Sequence, residues 1–260
     1  MKIEQVAIQL YTLRNECRTA ADYAATLKRV RAIGYQAIQI SGVGPIPVGE
    51  LRSIAEGEGL AICATHEPAQ GILDNPQAVV ERLQALGCQH TAYPYPAGID
   101  FRKREDLDRL IAGLDAAGAV LHAAGQTLSY HNHATEFVHF EGRPVLELIY
   151  ERTNPAYLQG EPDTYWVQAG GACPVAWCKR LKGRLPLLHL KDFGVSYGEN
   201  GQTSSGFTEI GYGNLDFKAI IAAAEESGCQ WFIVEQDTCP GDPFESITKS
   251  FNYIKEHLVA

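Results

Sequence analysis

Short apolar runs of the buried-strand type alternate with helix-like segments along the whole chain, and this repeat limits the fold to very few architectures. The first unit begins with the run Val6–Tyr11 and continues into a helix whose start is marked by the capping pair Thr19 and Asp22. The last helix opens with Asp242-Pro243-Phe244-Glu245, which supplies an N-cap, an N1 proline and an N3 glutamate. Eight units fit the sequence, with strands predicted at Val6–Tyr11, Tyr35–Ile40, Leu60–Thr65, Thr91–Tyr93, Gln126–Ser129 and Tyr157–Tyr165, and from Leu187 and Trp231.

Alternating strands and helices imply parallel strands joined by right-handed crossovers, and eight of them can close into a barrel. With 260 residues and 45% hydrophobic composition, the chain suits a single α/β domain over residues 1–260, a (β/α)8 TIM barrel. A doubly wound open sheet is the alternative. The barrel is favoured because the candidate ligands described below follow strands five to eight, which meet at one mouth only in a barrel. The one long irregular segment, Phe193–Gly213, is expected to be a lid or a substrate wall.

The charge and cysteine content exclude several classes of protein. A formal net charge of −9 argues against a nucleic-acid or anionic-membrane partner, since either would need a basic surface. The seven cysteines are odd in number, scattered and never in a CxxC arrangement, which is typical of reduced thiols in the cytoplasm. The N-terminus lacks the apolar stretch of a signal peptide, and no run is apolar enough to span a membrane. The expected partner is therefore a small molecule, and a homo-oligomer is left open.

Polar side chains follow the fifth predicted strand directly, in the stretch Tyr130–Phe137. Strand alternation places His131 and His133 on the same face, with Glu136 close behind them. A single histidine could be a core residue satisfied by a carbonyl group. Two on one strand face beside a carboxylate favour a functional site.

Three further strands end in residues that bind metals, namely Asp163, His189 and Glu235. This mixed oxygen and nitrogen set suits Mn2+, Co2+, Mg2+, iron or Zn2+ rather than a thiolate-preferring ion, and His131 would be a fourth ligand. A cation there could hold a carbonyl oxygen and an adjacent hydroxyl of a substrate and stabilise the enediolate formed between them. Aldose–ketose isomerisation and epimerisation beside a ketone both require this chemistry.

Each of these residues also has a structural alternative. Asp163 could cap the turn after strand six, His189 could be a satisfied barrel histidine, and Lys191 could form a rim salt bridge with Asp192. Glu235 is harder to explain this way, because a carboxylate after the apolar run Trp231–Val234 needs a partner. Four strand ends bearing ligand-type residues together favour the metal site.

Several motifs resemble the sugar phosphate isomerase/epimerase group of the xylose-isomerase-like barrel superfamily, in the same order and over nearly the whole chain. They are Tyr130–Phe137, Asp163–Trp166, His189–Asp192, Glu209–Gly213 and Val234–Asp237. The resemblance implies a divalent metal held by Asp163, His189 and Glu235 with a fourth ligand from strand five, and it does not specify the reaction.

Strand five departs from the pattern of the ketose 3-epimerases, which carry a glutamate there that binds metal and transfers protons. His131 occupies the comparable position, and Glu136 lies a few residues beyond it. We assign His131 as the ligand and Glu136 as a substrate or supporting group, and the reverse assignment stays open. Glu235, Glu136, His133 and Lys191 are the candidate catalytic residues.

The leading hypothesis is thus a metal-dependent isomerase or epimerase acting on a ketose or related sugar. A dehydratase or lyase on a keto-sugar or keto-cyclitol, similar to inosose dehydratase, is the alternative, because the same enolate can expel a β-substituent. A DNA-repair endonuclease would need a basic surface, and a sugar-binding barrel without activity would lack metal. The loop after strand seven offers no base besides Lys191 for a phosphate, so an unphosphorylated substrate is expected.

Overall fold

Eight parallel strands form one sheet in the computed structural model, which describes residues 1–198 and 200–259. Strands β1 to β6 pair in sequence, and β1 also pairs with β8, which in turn pairs with β7. The remaining seam, between β6 and β7, closes at a parallel bridge between Asp163 and His189. The predicted (β/α)8 TIM barrel is confirmed. The strands are β1 Val6–Gln9, β2 Ala37–Ile40, β3 Ala61–His66, β4 His90–Tyr93, β5 Thr127–His131, β6 Leu158–Glu161, β7 Leu187–Leu190 and β8 Trp231–Val234.

Helices surround this sheet and begin where the sequence marks their starts. The Thr19 hydroxyl accepts from the Asp22 peptide N–H at 3.2 Å, and the Asp242 carboxylate accepts from the Phe244 N–H at 2.9 Å. Among the helices of the described residues, none is both long and apolar enough to cross a membrane. They are α1 Ala20–Ile33, α2 Val48–Gly57, α3 Ala69–Asp74, α4 Pro76–Leu86, α5 Arg104–Ala123, α6 Val145–Arg152, α7 Thr164–Ala169, α8 Pro174–Arg180, α9 Phe217–Glu226 and α10 Pro243–His257.

The inside of the barrel is built in two layers that differ in polarity. The lower layer is a small apolar cluster, separate from the main core, that includes Ala7, Ala37, Leu187 and Ile233. Two residues further along each of these strands, at the next inward-facing position, the chain carries polar groups. These upper-layer residues are Gln9, Gln39, His189 and Glu235, all of them buried. Buried polar groups at the carboxyl ends of barrel strands are typical of an active site.

Two segments differ from the sequence-based expectation. Strand β6 ends at Glu161 rather than continuing to Tyr165, because Asp163 caps helix α7 through the Trp166 N–H. The segment expected to be irregular after β7 is instead largely a hairpin of two antiparallel strands, Asp192–Tyr197 and Thr203–Thr208. Pairing within the hairpin satisfies backbone groups that an irregular loop would leave to water. Its base lies over the barrel mouth, where the Phe207 ring is 4.3 Å from that of Tyr165.

Candidate functional site

Four of the predicted residues meet at the mouth of the barrel. They come from four different strand ends, and each offers one ligand atom within 4.8 Å of the others. All four are at least 95% buried, so their polar atoms must be satisfied by each other or by a ligand. The residues are His131, Asp163, His189 and Glu235. The structure therefore brings together the whole set predicted to hold a metal.

Asp163 performs two tasks with its two carboxylate oxygens. Oδ1 accepts from the Trp166 N–H at 2.9 Å and so caps helix α7, which is the structural alternative considered from the sequence. Oδ2 accepts no hydrogen bond from the described residues and lies 3.3 Å from Nζ of Lys191. The Asn132 side chain fixes the backbone here by accepting from the Asp163 N–H at 3.2 Å. Capping thus orients Asp163 and leaves one oxygen directed into the site.

His131 presents a second unpaired atom. Within the described residues its Nδ1 has no hydrogen-bond partner, and the closest carboxylate oxygen, on Glu161, is 3.7 Å away. Burial holds the pKa of His131 well below its usual range, with the neighbouring His189 as the next cause. The imidazole is therefore neutral at physiological pH, as a metal ligand must be.

Lys191 lies among three carboxylates and is 99% buried. Its Nζ is 2.9 Å from Glu235, 2.8 Å from Asp237 and 3.3 Å from Asp163. Burial alone would lower the pKa of Lys191, but the three carboxylates outweigh it and raise the pKa. The salt bridge with Asp192 considered from the sequence does not form, since the Asp192 oxygens accept backbone N–H groups instead.

Protonation in this cluster is distributed unevenly. Burial raises the pKa of Asp163 to about 7 against the attraction of Lys191. Burial would also raise the pKa of Glu235, but Lys191 and His189 hold it well below the ordinary value. Burial would lower the pKa of His189, yet the carboxylates of Glu161 and Glu235 raise it to about 10. The cluster thus carries protons that a divalent cation would displace.

These observations fit a divalent cation. Two buried polar atoms, His131 Nδ1 and Asp163 Oδ2, lack hydrogen-bond partners in the described part of the chain, and both residues belong to the group of four candidate ligands. Unpaired buried acceptors are costly unless something binds to them. Two carboxylates with two imidazoles form a donor set suited to Mn2+, Co2+ or Zn2+.

A cavity of about 350 Å³ opens directly onto this group. His133 lines it beside His131, and the Nδ1 atom of His133 has no hydrogen-bond partner among the described residues. Burial lowers the pKa of His133 to about 4, with Lys191 adding to the effect. The rim carries two partly exposed aromatic rings, Tyr11 and Tyr95, and one cation, Arg14. The cavity therefore offers ring faces, a neutral imidazole and carboxylates to a bound molecule.

Glu136 does not join the other candidates. It is fully buried, and its carboxylate accepts from the Tyr130 hydroxyl at 3.0 Å and from the His133 N–H at 2.8 Å. Burial raises the pKa of Glu136 to about 7. Glu136 is not among the residues lining the cavity or the ligand group of the described chain. Its contacts orient the backbone at His133, and its assignment as a substrate or supporting group stays a prediction.

Three residues of the site were not predicted from the sequence: His66, Glu161 and Gln39. Glu161 is fully buried and accepts from the Gln39 amide and from His66 Nε2, both at 2.6 Å. Burial would raise the pKa of Glu161, but the imidazoles of His66 and His189 outweigh it and lower the pKa to about 2. His66 ends strand β3, so the rule that selected the other strand ends could have found it. Glu161 ends strand β6 but lay inside the longer strand predicted there, and Gln39 lies within strand β2, so neither gave such a signal.

Comparisons with known proteins agree with this fold. A sequence profile described as xylose isomerase-like TIM barrel matches residues 27–257. An inosose dehydratase of Lacticaseibacillus casei is 28% identical over 163 residues, covering 58% of this chain and 54% of that protein. The chain therefore spans about half the length of the curated relatives it matches.

Two solved structures superpose over almost the whole chain. A sugar phosphate isomerase/epimerase from Parabacteroides distasonis ATCC 8503 gives a TM-score of 0.84 at 21% identity, covering 99% of this chain and 96% of that one. A xylose isomerase-like TIM barrel protein from Mycobacterium smegmatis, in complex with magnesium, gives 0.75 at 15% identity, covering 97% and 95%. At these identities the likeness shows the fold.

Proposed function

This chain belongs to the xylose isomerase-like TIM-barrel family, and from that premise we propose that it is a divalent-metal-dependent isomerase or epimerase acting on a ketose or a related sugar. One observation carries the proposal: four buried oxygen and nitrogen ligand atoms lie within 4.8 Å of one another beneath an open cavity. The fold family includes isomerases, epimerases and dehydratases, so the fold alone does not specify the reaction. The proposed reaction therefore rests on the residues of the site.

The metal would be held by His131, Asp163, His189 and Glu235. When bound, it would polarise the carbonyl and the adjacent hydroxyl oxygen of the substrate and so acidify the hydrogen on the carbon between them. Glu235 is ionised and would accept that proton. Glu235, once protonated, would return the proton to the neighbouring carbon, and His133, which lines the same cavity as a neutral imidazole, would accept a hydrogen bond from a substrate hydroxyl. The Lys191 ammonium, 2.9 Å from Glu235, would keep that carboxylate ionised and ready to accept the proton.

The charges around the cavity support an unphosphorylated substrate. Lys191 is engaged with three carboxylates, so it is not free to bind a phosphate. Arg14 lines the rim, but its Nη1 donates to the backbone carbonyls of Tyr11 at 2.7 Å and Asp237 at 3.0 Å. The rings of Tyr11 and Tyr95 suit the C–H face of a sugar ring.

Exchange in deuterated water tests the proposal. Protein stripped of metal by a chelator and reconstituted with Mn2+ would be incubated in D2O with a panel of ketoses and their phosphate esters. We expect sugar of unchanged composition to acquire deuterium at the carbon next to the carbonyl, because an isomerase or epimerase removes that proton and replaces it from solvent. Nuclear magnetic resonance and mass spectrometry give the readout. Exchange that persists in protein shown to be metal-free would contradict the proposed mechanism.

A dehydratase is the second candidate, and the curated relatives named inosose dehydratase favour it. The same proton removal by Glu235 would then be followed by loss of a hydroxyl group from the next carbon, with a nearby acid protonating it. In the same experiment, a keto-cyclitol or keto-sugar would give a product lacking one water molecule. That product, without any exchanged ketose, would select the dehydratase.

A further inference from the structure

A group of buried amide and carboxylate side chains lies beside the candidate ligands inside the barrel. It consists of Gln9, Gln39 and Glu161, each fully buried. We propose that Gln39 is a positioning residue that keeps the His189 ring with its proton on Nε2, so that Nδ1 faces Glu235. This inference rests on the proposed function insofar as it concerns metal binding, and it assigns a role to a side chain that does not itself bind the metal.

The orientation of the Gln39 amide follows from Glu161. A carboxylate can only accept hydrogen bonds, so the group facing Glu161 Oε1 at 2.6 Å must be the Gln39 NH2. The other Glu161 oxygen accepts from His66 Nε2, also at 2.6 Å. With its NH2 committed to Glu161, the Gln39 amide must turn its oxygen toward the opposite side.

Gln9 reinforces this orientation from the neighbouring strand. Its Nε2 donates to Gln39 Oε1 at 2.9 Å and lies 3.3 Å from His66 Nδ1. The two hydrogens of one NH2 group can serve both acceptors. A flipped Gln39 amide would set its own NH2 against that of Gln9 and its oxygen against the Glu161 carboxylate. Two independent contacts therefore keep Gln39 Oε1 in place.

His189 meets that oxygen. Its Nε2 is 2.7 Å from Gln39 Oε1, closer than the 3.4 Å to Glu161, so Nε2 must carry a hydrogen to donate. Its Nδ1 is on the side of the site, 3.1 Å from Glu235 Oε2. The ring is fully buried and stacks on His66 with only 3° between the ring planes. A proton fixed on Nε2 leaves Nδ1 as the atom that can bind a metal.

The same geometry argues against a second cation bound through Glu161. His66, His131, Glu161 and His189 also offer ligand atoms within 4.8 Å of one another. However, both Glu161 oxygens already accept hydrogen bonds, and His189 Nε2 faces an amide oxygen. In addition, His131 and His189 belong to both candidate ligand groups, so two cations would have to share them. Glu161 therefore has both oxygens satisfied by Gln39 and His66 and acts as support for the four candidate ligands.

Two variants of equal size and depth test the inference. Gln39→Met removes the acceptor of the His189 Nε2–H, whereas Gln9→Met removes one of the two contacts that orient Gln39 and leaves that acceptor, still held by Glu161, in place. We expect Gln39→Met to weaken Zn2+ binding by about 10–100-fold, the usual effect of losing such a partner, and Gln9→Met to weaken it much less. Titration calorimetry measures the affinities. Equal losses in the two variants would overturn the inference.

Nitrogen-15 spectra of histidine-labelled protein provide a readout that does not depend on activity. In the wild type, His189 Nε2 should appear as a protonated nitrogen with and without Zn2+, and only Nδ1 should shift when Zn2+ is added. A Zn2+-dependent shift of Nε2 instead would overturn the inference. If the wild type bound no Zn2+, the proposed function would fail. The inference about Gln39 would then be tested in metal-free protein. There, Gln39→Met but not Gln9→Met should lose the slowly exchanging hydrogen on His189 Nε2. A slowly exchanging Nε2–H in Gln39→Met would contradict the inference.

Discussion

The Glu235→Gln variant is expected to lose about 10²–10⁴-fold in turnover while remaining folded. Glutamine keeps the shape of the side chain but removes a negative charge from the metal ligands and the carboxylate proposed to accept the substrate proton. Its buried neighbour Lys191 can still donate to the remaining amide oxygen, which preserves the local packing. Turnover of the ketose identified by deuterium exchange, measured at saturating Mn2+, gives the result.

Asp237→Asn is the matched control for this variant. It also removes a carboxylate that contacts Lys191, at 2.8 Å, yet Asp237 is not a member of the ligand group. A clearly smaller loss of turnover is expected from Asp237→Asn. Equal losses would show that negative charge around Lys191, rather than the specific position of Glu235, sustains activity.

Lys191→Met should give the largest loss of stability among the single substitutions considered for this site. It leaves Asp163 and Glu235 buried, and Asp237 partly buried, without the cation that they surround. Removing one partner of a buried ion pair costs about 3–5 kcal/mol in the free energy of unfolding. Urea unfolding in the presence of a chelator measures this loss. Added Mn2+ should recover part of it, since a cation bound only by the folded state stabilises that state.

Lys249→Met serves as the control, because Lys249 pairs with Glu209 at 3.6 Å and is 55% exposed. An exposed pair of this kind contributes about 0–1 kcal/mol to stability. If Lys191→Met unfolded at the same urea concentration as Lys249→Met, the three carboxylates would not depend on Lys191 for compensation. The electrostatic description of the site would then be wrong.

The barrel could be predicted from sequence because its signal is repeated. Each strand is a short apolar run with a glycine or a helix cap nearby, so an error in one strand boundary does not change the number of strand–helix units. The site could be found for a related reason. Residues that follow parallel strands converge in a barrel, and His131, His189 and Glu235 could be located from strand ends alone. Asp163 was located by the same rule, although strand β6 ends two residues before it.

The buried polar side chains Gln39 and Glu161 could not be predicted in this way. Strands buried on both faces read as continuous runs, so the sequence does not say which side of Gln39 or Glu161 faces the barrel axis. The orientation of the Glu136 side chain could not be predicted for a different reason. Glu136 lies within a turn of 3-10 helix, Ala134–Phe137, which directs its carboxylate toward Tyr130 instead of the cavity. The hairpin after β7 depends on pairing between Asp192–Tyr197 and Thr203–Thr208, which local composition does not reveal.

Anomalous diffraction from crystals soaked with Mn2+ tests the central claim most directly, because it locates the cation without requiring a known substrate. One strong peak is expected within ligand distance of His131, Asp163, His189 and Glu235, which would also decide whether His131 or Glu136 supplies the fourth ligand. No peak at the barrel mouth, or a peak among His66, His131, Glu161 and His189 instead, would contradict this description of the site.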